Sequence, residues 1–506
     1  MRLRLLLFPC LTFFFCGILV GCDSKSEKGA RELTGEMLEG KKLAEKYCSS
    51  CHLPVEPELL DKDTWKNQVL PAMAKQLGLE VWQGNKYFQN EKSTISHSDW
   101  LKIIAFYDSL APVSVSQVKP PVAAISDWAG FTLKIPNSDT SKLATTTLVA
   151  INKSEHAIYT SSAENPDLIR WDKNLKSSFS TKLSSPAVDI SFAENNKVLT
   201  LIGEMKAYDS PSGALFQTDS NGGDEIISSG FIRPISTTST DFNKDGLADY
   251  VVCGFGHNKG GLYLVKQLSD KTFEKIPIRE VAGATQAITR DFNEDGWPDI
   301  MALFAHAGEG IWIFLNDKKG GFSSENILRF PPVYGSSSFQ LADINKDGKQ
   351  DIIYTAGDNS DYSRILKPYH GLYIFLNRGD LKGGKLNFEQ AYFYPIHGAT
   401  KVIAKDFDQD GDIDLATIAF FADFQHNPSG SFLYFEQNNK IKFPNFIPHA
   451  LPISNSGRWI CMDAEDFDGD GDTDIVLGNY SKGFLNQDNF KPNWNLYLPF
   501  VLLVKE

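Results

Sequence analysis

The chain has 506 residues, of which 42% are hydrophobic and 22% charged, with a formal net charge of −13. This length calls for more than one domain, and the acidic balance argues against a nucleic-acid partner, which needs a basic face. Seven cysteines spread over the whole chain do not make a disulfide framework.

In chain order, Arg2 and Arg4 precede an apolar run from Leu5 to Val20, and polar sequence follows at once. A charged start with a short apolar core reads as an export signal, too short for a stable membrane span. The run ends in Leu19-Val-Gly-Cys22, which resembles a bacterial lipobox. That resemblance implies cleavage before Cys22 and acylation of its thiol. Each buried methylene adds roughly 0.8 kcal/mol, so several acyl chains on one residue hold firmly. Residues 1–21 are therefore expected to be a lipoprotein signal peptide and 22–33 a polar tether. The mature protein is expected to be lipid-anchored in the cell envelope, facing periplasm or cell exterior.

Residues 34–112 read as a small all-α domain. Leu38, Leu43 and Tyr47 recur at roughly helical spacing, with Thr34 as candidate cap. A second amphipathic helix is expected from Ser98, its cap, to Leu110, stopped by Pro112. Between them lies Cys48-Ser-Ser-Cys51-His52. The pattern C-x-x-C-H marks covalent attachment of a c-type haem. Two thiols about one helical turn apart reach the two vinyl groups as thioethers, and His52 follows at once as proximal iron ligand. A zinc site would need a second Cys/His pair, and no other CxxC occurs in the chain. A dithiol redox pair would leave the adjacent histidine unexplained. The layout resembles a class I cytochrome c. The resemblance implies a sixth ligand from the intervening loop. Met73, after Leu70-Pro-Ala, is the expected ligand and His97 the alternative. Met/His ligation raises the reduction potential. Residues 113–126, with Pro120 and Pro121, read as a semi-extended linker.

From residue 127 onward one nine-residue pattern, D-x-[DN]-x-D-G-x-x-D, occurs five times. Its oxygen-bearing residues are Asp241, Asn243, Asp245 and Asp249; Asp291, Asn293, Asp295 and Asp299; Asp343, Asn345, Asp347 and Asp351; Asp406, Asp408, Asp410 and Asp414; and Asp466, Asp468, Asp470 and Asp474. Carboxyl and amide oxygens at positions 1, 3, 5 and 9 suit a hard cation that takes six to eight oxygens, which is calcium, and the glycine at position 6 supplies the turn. About five structural calcium ions are expected. The flanks read as strands, so the loop is not an EF-hand. The copies begin 50, 52, 63 and 60 residues apart, a period that suits one four-stranded blade. The sequence resembles the FG-GAP/VCBS repeat family, which includes the integrin α-chain propeller. That resemblance places each loop between the first and second strands of a blade.

Two carboxylate-poor copies, around Ala150 and Ser191, raise the repeat count to seven. The fold class is therefore expected to be multidomain: a small all-α cytochrome c domain, then an all-β seven-bladed β-propeller over 127–506. The last stretch, Phe500 to Glu506, matches a third strand, so Phe131 to Ile135 is expected to supply the missing fourth strand and close the ring.

In this topology His257, His306, His370 and His426 fall between second and third strands, and His397 and His449 between blades. All six belong to the face opposite the carboxylate loops. Arg233 and Arg458 stand at equivalent positions, eight residues before their loops. This His/Arg face is a candidate substrate, metal or docking surface. Cys253 and Cys461 read as small buried residues. No GxSxG, HExxH or P-loop accompanies them. Three readings follow. The first is one-electron transfer with the propeller as docking platform and a redox partner protein or small molecule as electron donor or acceptor. The second is an oxidoreductase that binds a small molecule or sugar on the His/Arg face. The third is an adhesion protein.

Overall fold

The computed structural model describes residues 35–506 except 51, 138, 194–195, 220–222, 307, 361–363, 380–385, 439–441, 484–486 and 488–489. The signal peptide, Cys22 and Cys51 lie outside the described residues. No helix among those described is long and apolar enough to cross a membrane.

Seven four-stranded antiparallel sheets follow one another in the chain. Blade 1 begins with Thr146–Asn152, blade 2 with Ala187–Phe192, blade 3 with Pro234–Thr240, blade 4 with Ala284–Arg290, blade 5 with Ser336–Ala342, blade 6 with Ala399–Lys405 and blade 7 with Trp459–Glu465. Second strands such as Asp249–Gly254 and Asp299–Phe304 are buried at every position, because they lie between two sheet neighbours and two adjoining blades. Outer strands such as Ser177–Lys182 are almost wholly exposed and correspondingly polar. The fourth strand of blade 7 is Phe131–Lys134, paired antiparallel with Phe500–Lys505. The ring is thus closed by a strand from the opposite end of the domain, as expected, and that sheet has no open inner edge.

Two devices tie the blades together. Every first strand carries a register shift one residue after its start, for example between Pro234 and Ser236 and between Ala399 and Lys401. A bulge there increases local twist. Side chains on the first strands also accept hydrogen bonds from the backbone of the next blade: Thr237 N donates to Asp189 Oδ2 at 2.8 Å, Phe339 N to Gln286 Oε1 at 3.2 Å, Val402 N to Ser338 Oγ at 3.1 Å and Ile151 N to Asp463 Oδ2 at 2.8 Å.

Ahead of the propeller, helices Gly35–Cys48 and His97–Leu110 pack on each other. Gly40 sits where a Cβ would meet Lys102 O at 2.4 Å, so only glycine allows this approach. Trp65, Trp100, Ile103, Phe106 and Tyr107 fill a core of the unit's own. The second helix is capped by Ser96, whose Oγ accepts from Asp99 N, and not by Ser98. The unit is also not purely helical: Glu80–Trp82 and Lys86–Phe88 form a hairpin. The expectation of an all-α unit is corrected on this point. Residues 113–126 run along the propeller. Gln117 Nε2 donates to Leu366 O, Tyr394 OH to Val122 O, and Ile125 bridges His449.

Candidate functional sites

The helical unit rests on the propeller face opposite the carboxylate loops. Val333 and Ile365 of blade-5 connections pack against its core, and Tyr369 OH donates to Leu59 O at 3.0 Å. Between the two units lies a cavity of about 470 Å³, within the usual range for ligand and cofactor sites. Its helical wall includes Cys48, His52, Met73, Trp65, Trp100 and Tyr107, and its propeller wall His257, His306, Val333, Asp358 and Lys367.

Each helical-wall group is positioned by its neighbours. Cys48 ends the first helix. His52 Nδ1 lies 2.7 Å from Leu53 O; a carbonyl only accepts, so Nδ1 carries the proton and Nε2 keeps its lone pair. Met73 follows Pro71, which stands at the start of helix Leu70–Gln76, where a missing N–H costs nothing. Tyr107 OH donates to Val55 O, and Trp65 Nε1 to Pro57 O. Trp100 is fully buried, lines the cavity, and its Nε1 has no hydrogen-bond partner. An unsatisfied buried N–H of this kind costs on the order of 1–3 kcal/mol, which marks it as a group that awaits an acceptor. His97 is exposed at the start of its helix and does not line the cavity.

The His/Arg face is divided among several settings. His257 and His306 line the cavity. His397 lines a smaller cavity of about 320 Å³ beneath the linker. Burial holds His370 and His397 neutral, well below the ordinary imidazole value for His370. His426 bonds Asp423 and His449 bonds Asp127. Arg233 donates from Nη1 to Gly256 O. Arg458 is not part of an open face: it is 1% exposed, stacked 3.7 Å from the Phe420 ring centre, and burial lowers its pKa to about 9.

On the other face the five loops join first to second strands. The glycine at position 6 has φ near 86° in Gly246, Gly296 and Gly348. An added Cβ at Gly246 or Gly348 would meet nothing within 4 Å, so the requirement there is conformational. In the first three loops the N–H of residue 5 donates to residue 1, as from Asp245 to Asp241 at 3.1 Å. Asp406, Asp408 and Asp410, and likewise Asp466, Asp468 and Asp470, bring one carboxylate oxygen each within 4.8 Å of one another. Position 7 is Leu247 in the first loop and Asp412 in the fourth; Asp412 is fully buried with no donor to either oxygen, beside the Asp410 carboxylate. A buried carboxylate without a donor is costly, and a bound cation would relieve it.

Position 9, expected among the ligands, is also tied into the blade. Asp249, Asp299, Asp351, Asp414 and Asp474 are all fully buried. Their Oδ1 atoms accept from the end of the third strand, at Gln267, Asn316, Asn377, Gln437 and Lys505. Their Oδ2 atoms accept from residue 2 of the loop, or in Asp414 from Tyr434 OH at 2.6 Å. Burial raises Asp414 to about 7 and Asp351 and Asp474 to about 6. Blade 1 replaces the carboxylate cluster by a single Glu155, held by Arg170 Nε at 2.9 Å, Tyr159 OH at 2.8 Å and Lys197 Nζ at 3.4 Å. There the neutralising cation comes from the protein itself.

Residues 241–302 and 291–354 match the FG-GAP-like repeat model. The chain is 33% identical over 135 residues to the Plasmodium falciparum (isolate 3D7) T-cell immunomodulatory protein homolog, covering 25% of this chain and 18% of that protein. It is 26% identical over 221 residues to Xenopus tropicalis cartilage acidic protein 1, covering 41% of this chain and 30% of that one. The chain thus spans less than a third of either relative. Among solved structures, the Neurospora crassa Pan2 WD40 domain aligns at a TM-score of 0.46 and 9% identity over 75% of this chain and 97% of that one. The N-terminal domain of Nup159 aligns at 0.43 and 12% over 77% and 100%. The chain carries FG-GAP-like repeats in a seven-bladed β-propeller.

Proposed function

We propose that the cavity between the two units holds one haem c, which Cys48 and Cys51 would bind as thioethers and whose iron His52 and Met73 would ligate. The protein then transfers single electrons at the cell envelope, and the propeller serves as its recognition platform. The observation that carries this reading is the meeting of Cys48, His52 and Met73 in one cavity. They are separated in sequence by up to 25 residues, and together they offer a thiol, an imidazole with a free nitrogen and a thioether. When bound, the group supplies a one-electron couple. The chain's own residues do the rest. The Leu53 carbonyl fixes the His52 tautomer. Trp65, Tyr107 and the aliphatic wall exclude water, and Trp100 Nε1 offers a donor to the polar edge of the group. The lipid anchor at Cys22, expected from sequence, places this chemistry at the envelope, where haem c is attached.

The carboxylate loops are proposed as calcium sites of structural type, with positions 1, 3, 5 and 9 as the ligands, position 9 also tying the loop to the third strand.

The test is production in a host that matures c-type cytochromes, followed by a haem stain on a denaturing gel. Haem that stays with the chain after denaturation is the expected result, and Cys48→Ala/Cys51→Ala abolishes it. A wild-type chain without bound haem contradicts the reading.

A further inference from the structure

The five carboxylate loops are built alike, but they do not stand alone. Residue 2 of each loop is a buried apolar anchor: Phe242, Phe292, Ile344, Phe407 and Phe467. In the first and third loops its N–H donates to the position-9 carboxylate of the same loop, from Phe242 to Asp249 Oδ2 and from Ile344 to Asp351 Oδ2, both at 3.2 Å. Its C=O accepts from the next blade.

The donor there is an amide side chain at the end of the third strand. Asn316 Nδ2 donates to Phe242 O at 3.0 Å and to Pro298 O, residue 8 of the second loop, at 3.2 Å. Asn316 Oδ1 accepts from Lys318 N at 2.9 Å, which fixes which end of the amide meets the two carbonyls. Asn316 N donates to Asp299 Oδ1 at 2.8 Å. Gln437 repeats the arrangement further round the ring. Its Nε2 donates to Ile344 O at 3.1 Å, its Oε1 accepts from Ile413 N, residue 8 of the fourth loop, at 3.2 Å, and its N donates to Asp414 Oδ1 at 2.7 Å. Asn316 and Gln437 are 7% and 5% exposed, so water offers these groups little substitute. Two position-9 carboxylates are thus joined by three successive hydrogen bonds: Asp299 to Asn316 to Phe242 to Asp249, and Asp414 to Gln437 to Ile344 to Asp351. In blade 5 the equivalent Asn377 accepts from Gly379 N, and no such bridge joins the second loop to the third among the described residues.

We infer that Asn316 and Gln437 are positioning residues of the cation loops, and that they couple the loops in pairs, first with second and third with fourth. This rests on the calcium reading above. A cation held by Asp299 fixes the carboxylate that Asn316 N bonds. That fixes the amide that holds Phe242, and through Phe242 the Asp249 carboxylate of the first loop. The next cation then meets ligands already ordered, which is a coupling between two sites and acts equally in both directions. Lys244 of the first loop also lies over the Trp297 ring of the second, 4.8 Å from its centre. Charge alone couples neighbouring loops as well, but it acts on both sides of the second loop, while the relay exists on one side only.

The experiment is a terbium titration of the full, calcium-free chain, terbium being a luminescent cation that takes the same oxygen ligands. Trp297, at position 7 of the second loop, sensitises the ion beside it, and Trp297→Phe supplies the background. Half-saturation of this signal is read in five chains. These are the wild type, one without the first loop's ligands (Asp241→Ala/Asp245→Ala), one without the third's (Asp343→Ala/Asp347→Ala), Asn316→Leu, and Asn316→Leu combined with the first-loop change. Loss of the first loop is expected to raise half-saturation about fivefold or more, and loss of the third loop by clearly less. Asn316→Leu keeps the bulk of the side chain and removes its amide. It raises half-saturation too, and in that background loss of the first loop adds no more than loss of the third. A merely structural role for Asn316 would leave the two effects additive. Equal effects from the first and third loops overturn the coupling and leave calcium binding intact. Absence from the wild type of a terbium signal that calcium displaces overturns both. If Asn316→Leu does not fold, the comparison of the first and third loops decides.

Discussion

The two candidate sites are built in opposite ways. Each carboxylate loop is local: nine consecutive residues carry the donors, the turn glycine and the tie to the neighbouring strand, and the design recurs five times. The cavity is assembled once, from residues as far apart as Cys48 and Lys367, and it exists only because the helical unit lies on the propeller. The first is polar and open at its rim; the second is largely apolar. A local site depends on charge neutralisation, while an assembled site depends on docking. Perturbations should therefore separate them.

The largest separation is expected from calcium. A ligand present at about 100 times its dissociation constant stabilises by about 2.7 kcal/mol per site. Chelation should thus lower the thermal midpoint of propeller unfolding sharply, followed by far-UV circular dichroism, while haem stays on the chain. A midpoint that ignores chelation would remove the loops from the account of stability. Asp474→Ala should cost about 2–5 kcal/mol in denaturant unfolding with or without calcium, because it strands the buried N–H groups of Phe467 and Lys505. Asp468→Ala, at a partly exposed position of the same loop, should matter only when calcium is present.

The pH dependence sharpens the contrast. In the metal-free protein burial raises Asp414 to about 7 and Asp351 and Asp474 to about 6, from 3.8. The folded chain therefore holds extra protons above pH 4, and the stability they contribute is lost as pH rises through about 6–7. Calcium needs ionised carboxylates, so its stabilisation should grow over the same window. Thermal midpoints at pH 5 and 7.5, with and without calcium, read both signs. The smallest effect is expected at the docking surface. Tyr369→Phe removes one hydrogen bond to Leu59 O, worth about 1 kcal/mol, and should show as faster proteolysis in residues 113–126 with the propeller midpoint unchanged.

The same contrast explains what could be read from the chain. The loops, the seven repeats and the closing strand Phe131–Lys134 are legible because their signals lie within one repeat. The placement of six histidines opposite the loops follows from strand order alone. What those histidines touch does not: Arg458 stands level with Arg233 in the repeat, yet it is buried under Phe420 because its own neighbours are aromatic. The hydrogen bonds that position 9 accepts leave no separate mark in the sequence, since a cation ligand and a buried acceptor are both aspartate. The cap at Ser96 in place of Ser98 is a choice between two serines two residues apart.

The most direct test of electron transfer at the cavity is carbon monoxide addition to the reduced, calcium-loaded protein, followed by its visible spectrum. If His52 and Met73 both ligate the iron, the spectrum should not shift in the wild type, and Met73→Ala should make it shift. A wild-type spectrum that shifts at once would mean an open iron, contradicting a closed electron-transfer centre and favouring chemistry on a small molecule within the cavity.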